Sequence, residues 1–185
     1  MQWSKLKRRV ESFLATSVAG RVELRSTRYR GSHDQEGRGF ITFDKKEVWD
    51  MCTLRAWRSE YELQKQIEAQ QEIRPIDAHE LARQEIESQG LFSQYRFYES
   101  LEEYCNLSVE EAIDSENILI RALAMLDRRV GKRRLRSLGE EANIHPMVFR
   151  FYQFRCQAEG LSSNHSLQSD GANSSVGFSE KSSKG

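Results

Sequence analysis

Residues 21–52 read RVELRSTRYR GSHDQEGRGF ITFDKKEVWD MC, and the reading of this stretch decides the fold. Residues 21–29 alternate and are rich in β-formers. Residues 40–43 and 47–52 give two more strands across Asp44-Lys45-Lys46, a tight-turn sequence. Between the first two runs, residues 31–39 (GSHDQEGRG) form a polar loop bounded by glycines. The prediction is a three-stranded antiparallel meander over residues 21–52.

Outward from the meander, everything reads as helix. On the N-terminal side, Trp3, Leu6, Val10, Phe13 and Leu14 recur at helical spacing, which predicts an amphipathic helix over 3–16 ended by Ala19-Gly20. On the C-terminal side, Thr53 is placed to cap a helix with Leu54, Trp57 and Tyr61 on one face. That helix becomes very polar over 64–72, as an exposed, projecting end, and stops near Pro75. Asp77-x-x-Glu80 has capping-box spacing for a helix ended by Gly90. Residues 92–104 form the next helix, and Ser108-x-x-Glu111 is a second capping box for a short helix to about Asp114. Ser115 is then read as the cap of the strongest helix, whose stripe Leu119, Leu123, Leu126 and Val130 ends at a C′ Gly131. A short helix over 132–138 stops at Gly139. Pro146 opens a last helix that buries Val148, Phe151, Tyr152 and Cys156 before Gly160.

These elements define an α+β chain: an N-terminal helix, a three-stranded antiparallel sheet, then a mostly helical C-terminal half. One domain is expected over residues 1–160. Residues 161–185 contain nine serines and no apolar period, which predicts a disordered Ser/Gly-rich tail.

Formal net charge is zero, which excludes a simple basic nucleic-acid binder. The zero hides segregation. Residues 1–50 carry 11 basic and 7 acidic side chains, residues 51–120 carry 6 and 15, and residues 121–160 carry 9 and 4. The successive balances are therefore +4, −9 and +5. Cys52, Cys105 and Cys156 stand far apart with no C-x-x-C, which excludes a zinc ribbon or a disulfide framework and fits a reducing compartment. No apolar run is long enough for a membrane span, so the expected location is cytoplasmic, without membrane contact.

Two constellations are candidate binding surfaces. The run LDRRVGKRRLR (126–136) gathers Arg128, Arg129, Lys132, Arg133, Arg134 and Arg136 around the expected helix end, where cations complement the helix dipole or neutralise phosphates. The alternative is pairing with the acidic middle segment, with Glu102, Glu103, Glu110 and Glu111 as the expected partners. The sheet adds an arginine ribbon in which Arg25, Arg28 and Arg38 interleave with Tyr29 and Phe40, a composition like that of single-strand nucleic-acid platforms.

Catalytic signatures are sparse. Residues 31–39 lack the Lys-Ser/Thr of a P-loop and join strands, so their glycines are assigned to backbone turns. His33 with Asp34 and Glu36 is a weak metal pattern. His79 falls in a helix first turn, and no H-E-x-x-H or G-x-S-x-G occurs. No cofactor, metal site or catalytic residue is assigned.

The ordered set WSKLK (3–7), TRY (27–29), ITFDKKE (41–47), LAMLDRRVGKRRL (123–135) and FYxxRCxAEG (151–160) resembles a family of small uncharacterised bacterial proteins. The resemblance implies a bacterial, cytoplasmic setting and no activity. The functional expectation is a non-enzymatic protein that binds another protein through its charge-segregated surface. Nucleic-acid binding through the basic run and the ribbon is the alternative, and an enzyme with a site assembled from distant residues is a third. The sequence leaves oligomeric state open.

Overall fold

The computed structural model describes residues 2–31 and 36–161. Its elements follow the order α1 (Trp3–Glu11), β1 (Val22–Arg28), β2 (Gly37–Phe43), β3 (Lys46–Cys52) and α2 (Thr53–Gln70). Then come α3 (Pro75–Ser88), α4 (Gln94–Tyr104), α5 (Val109–Asp114) and α6 (Ile118–Leu126). The chain closes with α7 (Lys132–Ser137), α8 (Gly139–Ala142) and α9 (Pro146–Ala158). The expected N-terminal helix, antiparallel sheet and helical C-terminal half are all present. The loop residues His33 and Asp34, like the tail beyond Leu161, lie outside the described residues.

The sheet runs in the order β1-β2-β3, with Leu24 opposite Ile41 and Ile41 opposite Trp49. Asp44 (φ 48°) and Lys45 (φ 67°) alone make the β2–β3 turn, both left-handed, as a two-residue hairpin of type I′ twist demands. β2 begins three residues earlier than expected, because Gly37 and Gly39 belong to the strand. A Cβ at Gly39 would enter the Phe97 ring of α4, and one at Gly37 would strike the Thr27 carbonyl. These glycines let helix and neighbouring strand approach closely, a packing role in place of the turn role assigned to them. Gly31 (φ 82°) does serve a turn.

α6 is the centre of the molecule. Apart from Arg121 it is buried all round, which a sequence otherwise wholly apolar requires. α9 packs along it, α4 lies between it and the sheet, and α1 closes over β1 and α4. The buried cluster extends from Leu6 through Leu24, Ile41, Phe97 and Leu123 to Cys156. The α2–α3 hairpin sits outside this cluster and contributes mainly small buried side chains, Ala56, Ala78 and Ala82.

Several boundaries differ from expectation for local reasons. α1 stops at Glu11, because residues 13–15 turn to bond across to α6's end: Ala15 N–H donates to the Leu126 carbonyl and Arg128 N–H to that of Phe13. Thr53 is the first residue of α2, and its hydroxyl accepts from Gln94 N–H on α4 instead of capping its own helix. α3 starts at Pro75, and Asp77 pairs with Arg74 (2.7 Å). Asn117, not Ser115, caps α6 by accepting from Leu119 and Ile120 N–H. The Ser108–Glu111 capping box forms as read, as do the Pro146 start and the Gly90 and Gly160 stops at positive φ. The polar half of α2 does not project freely: α3 packs beside it, and Gln64 donates to the Pro75 carbonyl.

The main correction concerns residues 126–131. α6 ends at Leu126, Asp127 is extended (ψ 134°), and Gly131 precedes α7 as its N-cap. The basic run therefore does not gather at the C-terminus of α6, where the dipole was expected to hold it; Arg134 and Arg136 alone lie in a helix last turn, that of α7.

Candidate functional site

The basic run is divided between the interior and the surface. Asp127, fully buried, accepts from the Tyr104 hydroxyl (2.5 Å), from Arg129 N–H (2.8 Å) and from the Arg129 guanidinium (2.7 Å). That guanidinium also donates to the Leu107 carbonyl and lies over the Phe13 ring, 4.5 Å from its centroid. Burial first, and then the Asp127 charge, pushes the Tyr104 phenol well above its usual range, so it stays a donor. Lys132 pairs with Glu159 (3.0 Å) and Arg134 with Glu110 (2.6 Å). Of the four glutamates expected to face the run, Glu110 does so, while Glu111 closes the capping box. Arg128, Arg133 and Arg136 are exposed, and their side chains make no hydrogen bond or ion pair among the described residues.

Arg155 completes this interior hub, and sequence reasoning passed over it. It is buried on α9, donates to the carbonyls of Leu126 (3.0 Å), Asp127 (3.1 Å) and Val130 (3.4 Å), and pairs with Glu159 (2.8 Å). The signal was available, since Arg155 falls on the same helical face as Phe151, Tyr152 and Cys156. Arg155 gathers the carbonyls left open where α6 ends, which is why that helix can stop without a glycine.

The ribbon is also largely spoken for. Arg25 pairs with Glu23 (2.5 Å), and Arg38 pairs with Glu47 and Asp50 while lying over Phe40. Arg28 is exposed and makes no ion pair among the described residues. The ribbon and the basic run share no ion-pair partner among the described residues.

Catalytic candidates fare similarly. Cys105 and Cys156 are buried, and burial raises both thiols. The Cys52 sulfur lies 2.9 Å from the Tyr29 hydroxyl. His145 accepts from Met147 N–H as the cap of α9, and burial lowers its pKa. Among the described residues no group of three or more metal-ligating side chains gathers, and no helix is long and apolar enough to cross a membrane.

The most open feature lies elsewhere, on α2, α3 and the start of α4. Leu54, Trp57, Tyr61, Ile76, Leu81 and Tyr95 are exposed there, against Ile144 alone among the large apolar side chains of the other described residues. Leu54, Trp57 and Tyr61, at i, i+3 and i+7, form a stripe turned away from the core, because the inner face of α2 is carried by Thr53 and Ala56. Two clefts adjoin the stripe. One, about 280 Å³, is lined by Trp57, Glu60, Tyr61, Gln64 and His79. The other, about 410 Å³, continues past Trp57 to Leu91, Tyr95 and Glu99. Glu60 lies between them with its carboxylate 2.7 Å from His79 Nε2. A larger cleft of about 600 Å³, on the other side of α3, is lined by Glu87, Arg96, Glu103 and Glu116, and its central pair Arg96–Glu87 is already closed at 2.6 Å.

Neither a curated protein nor a solved structure matches this chain. A family model does match, across residues 2–156, which takes in α1, the sheet, the hub and nearly all of α9. The chain belongs to the SF0329 protein family, a family of uncharacterised proteins.

Proposed function

We propose that this protein is a non-enzymatic interaction module, bacterial and cytoplasmic, that binds a positively charged protein partner on the face made by α2, α3 and the start of α4. The observation that carries the reading is the apolar stripe Leu54–Trp57–Tyr61, which points outward in the part of the chain with a balance of −9. Trp and Tyr are the side chains that anchor protein interfaces, since they bury large area at low entropic cost. The acidic surround sets the sign of the partner, and it disfavours a second copy of this chain, whose like charge would meet it face to face.

Charge segregation alone supports the reading less than it does in the sequence, because Arg129, Lys132, Arg134, Arg25 and Arg38 are occupied by acids of the same molecule. A second reading rests on Arg128, Arg133 and Arg136, whose side chains are exposed and unpaired among the described residues. They favour weak nucleic-acid or phosphate contact, falling steeply with salt.

The test is affinity capture from the native host of three forms: wild type, W57A/Y61A, and R128A/R133A/R136A. The expected result is a stoichiometric protein partner that the wild type and the arginine variant retain and the aromatic variant loses. Absence of a stoichiometric partner, or its retention by W57A/Y61A, would overturn the proposal. Recovery of nucleic acid that only the arginine variant loses would establish the second reading.

A further inference from the structure

Within the α2 stripe, the smaller cleft combines groups that together define a ligand chemistry. Trp57 and Tyr61, one helical turn apart, bring two aromatic side chains to its lining. Glu60 lines the same cleft with a side chain only 14% exposed, while Trp57 and Tyr61 are 48% and 61% exposed. An aromatic pair flanking a half-buried carboxylate is a poor place for a neutral apolar group, which would strip water from the carboxylate without replacing it. It suits a cation, which both π-faces and the carboxylate attract.

The molecule already shows the ring face in use. The Lys65 ammonium lies 5.6 Å from the Tyr61 centroid, tied there by Glu68 at 2.8 Å. His79 takes one Glu60 oxygen through Nε2, which orients the carboxylate and leaves acceptor sites on it unused. The neighbouring cations Arg58 and Arg83 are each paired, to Glu62 and Glu80, and so do not fill the cleft.

We propose that the cleft between Trp57 and Tyr61 is a socket for one arginine side chain of the partner, its guanidinium stacked on the aromatic rings and forked onto Glu60. Arginine fits better than lysine because its planar, weakly hydrated head stacks on a ring and meets a carboxylate with two donors at once. This assignment deepens the docking reading and rests on it for its biological meaning. It identifies the occupant by charge complementarity, in agreement with the −9 balance of residues 51–120.

The experiment is an NMR titration of the whole protein with Nα-acetyl-arginine amide and with its neutral isostere Nα-acetyl-citrulline amide. The Trp57 indole N–H is followed, with those of Trp3 and Trp49 as internal references. The arginine probe is expected to give a saturable shift at Trp57 and at least about five-fold tighter binding than citrulline, the margin a partly desolvated cation–π contact supplies. Glu60→Gln should bring the arginine probe down to the citrulline level, while unchanged Trp3 and Trp49 resonances show that the fold is intact. Tyr61→Leu, which keeps the apolar contact and removes the π-face, should weaken arginine binding and leave citrulline unmoved. Equal affinity for the two probes, indifference to Glu60→Gln, or no saturable shift at Trp57 would overturn the socket. The docking face is judged separately: a captured partner lost by W57A/Y61A but kept by Glu60→Gln removes the socket and leaves the face.

Discussion

Three donors converge on the buried Asp127 carboxylate: the Tyr104 hydroxyl, the Arg129 guanidinium and the Arg129 N–H. Asp127→Ala removes the shared acceptor and strands Arg129 and Tyr104 together, so it should cost about 3–5 kcal/mol in urea denaturation, as breaking a buried pair does. A loss below about 1 kcal/mol, the worth of an exposed pair, would show that the hub does not hold the fold. Glu159 gives the same joint a pH signature. The Ser17 hydroxyl above all, with Lys132 and Arg155, holds its carboxyl at about 2, against an ordinary 4.5. A depressed carboxyl contributes its full stability above the unfolded value and loses it as pH falls through the folded one. Wild type should therefore exceed Glu159→Gln in stability above about pH 5, and the gap should close between about pH 4.5 and 2. A gap that stays constant over that window would mean the glutamate acts by packing alone. In the sequence Arg129 and Lys132 read as part of a basic surface. Spacing shows that Asp127 stands beside arginines, but it cannot show that the chain turns extended there and draws the carboxylate inside.

At the scale of elements, local chemistry was legible where it is self-contained. The Ser108–Glu111 box, the Pro146 start and the Gly90 and Gly160 stops need only their own neighbours to form, and each is where the sequence puts it. Gly131 and Gly139, read as stops, instead cap α7 and open α8. Thr53 and Asp77 were misread because a hydroxyl or carboxylate that can cap is also free to bond elsewhere, to Gln94 and Arg74 respectively. The extension of β2 through Gly37 and Gly39 was hidden for a related reason. Glycine signals a turn in one dimension, and the need for a missing Cβ arises only once Phe97 of α4 is laid on the strand. Gly39→Ala should accordingly destabilise the protein by about 2–3 kcal/mol, an overpacking penalty, with α4 losing hydrogen-exchange protection along with β2. An effect under about 0.5 kcal/mol would show that Phe97 moves aside freely. The β2–β3 turn predicts the opposite sign. Lys45 holds φ 67° with a side chain that disfavours it, so Lys45→Gly should raise stability by about 0.5–1 kcal/mol by relieving that strain. Unchanged or lowered thermal stability would mean that the turn tolerates its lysine without strain.

At the scale of the molecule, the distribution of charge and apolar surface separates what holds the fold from what is left for a partner. Most of the ion-paired cations in the two basic segments meet acids of their own segments, Arg25 with Glu23, Arg38 with Asp50 and Lys132 with Glu159, while Arg134–Glu110 crosses to the acidic one. The +4, −9, +5 balances do not by themselves show which side chains are left open. The candidate surface was therefore only half legible. The sequence marks residues 51–120 as acidic and puts Leu54, Trp57 and Tyr61 on one helical face, but a helical stripe alone does not say whether it faces in or out. That is decided by Ala56, Ala78 and Ala82, which let α2 and α3 close on their small faces and leave the large ones in solvent. An outward stripe that no packing requires should be removable without harm to the fold. W57A/Y61A and R128A/R133A/R136A should each leave stability within about 0.5 kcal/mol per site, because none of these side chains fills the core. For a chain of this length that is a Tm shift of no more than a few degrees, readable by thermal denaturation beside Asp127→Ala as the destabilised reference. A W57A/Y61A variant that melted like Asp127→Ala would assign the aromatic stripe to folding, and loss of partner binding in that variant would then carry no weight. A stable variant that no longer binds makes Trp57 and Tyr61 residues retained for recognition, at the expense of exposing about half of each ring system to water.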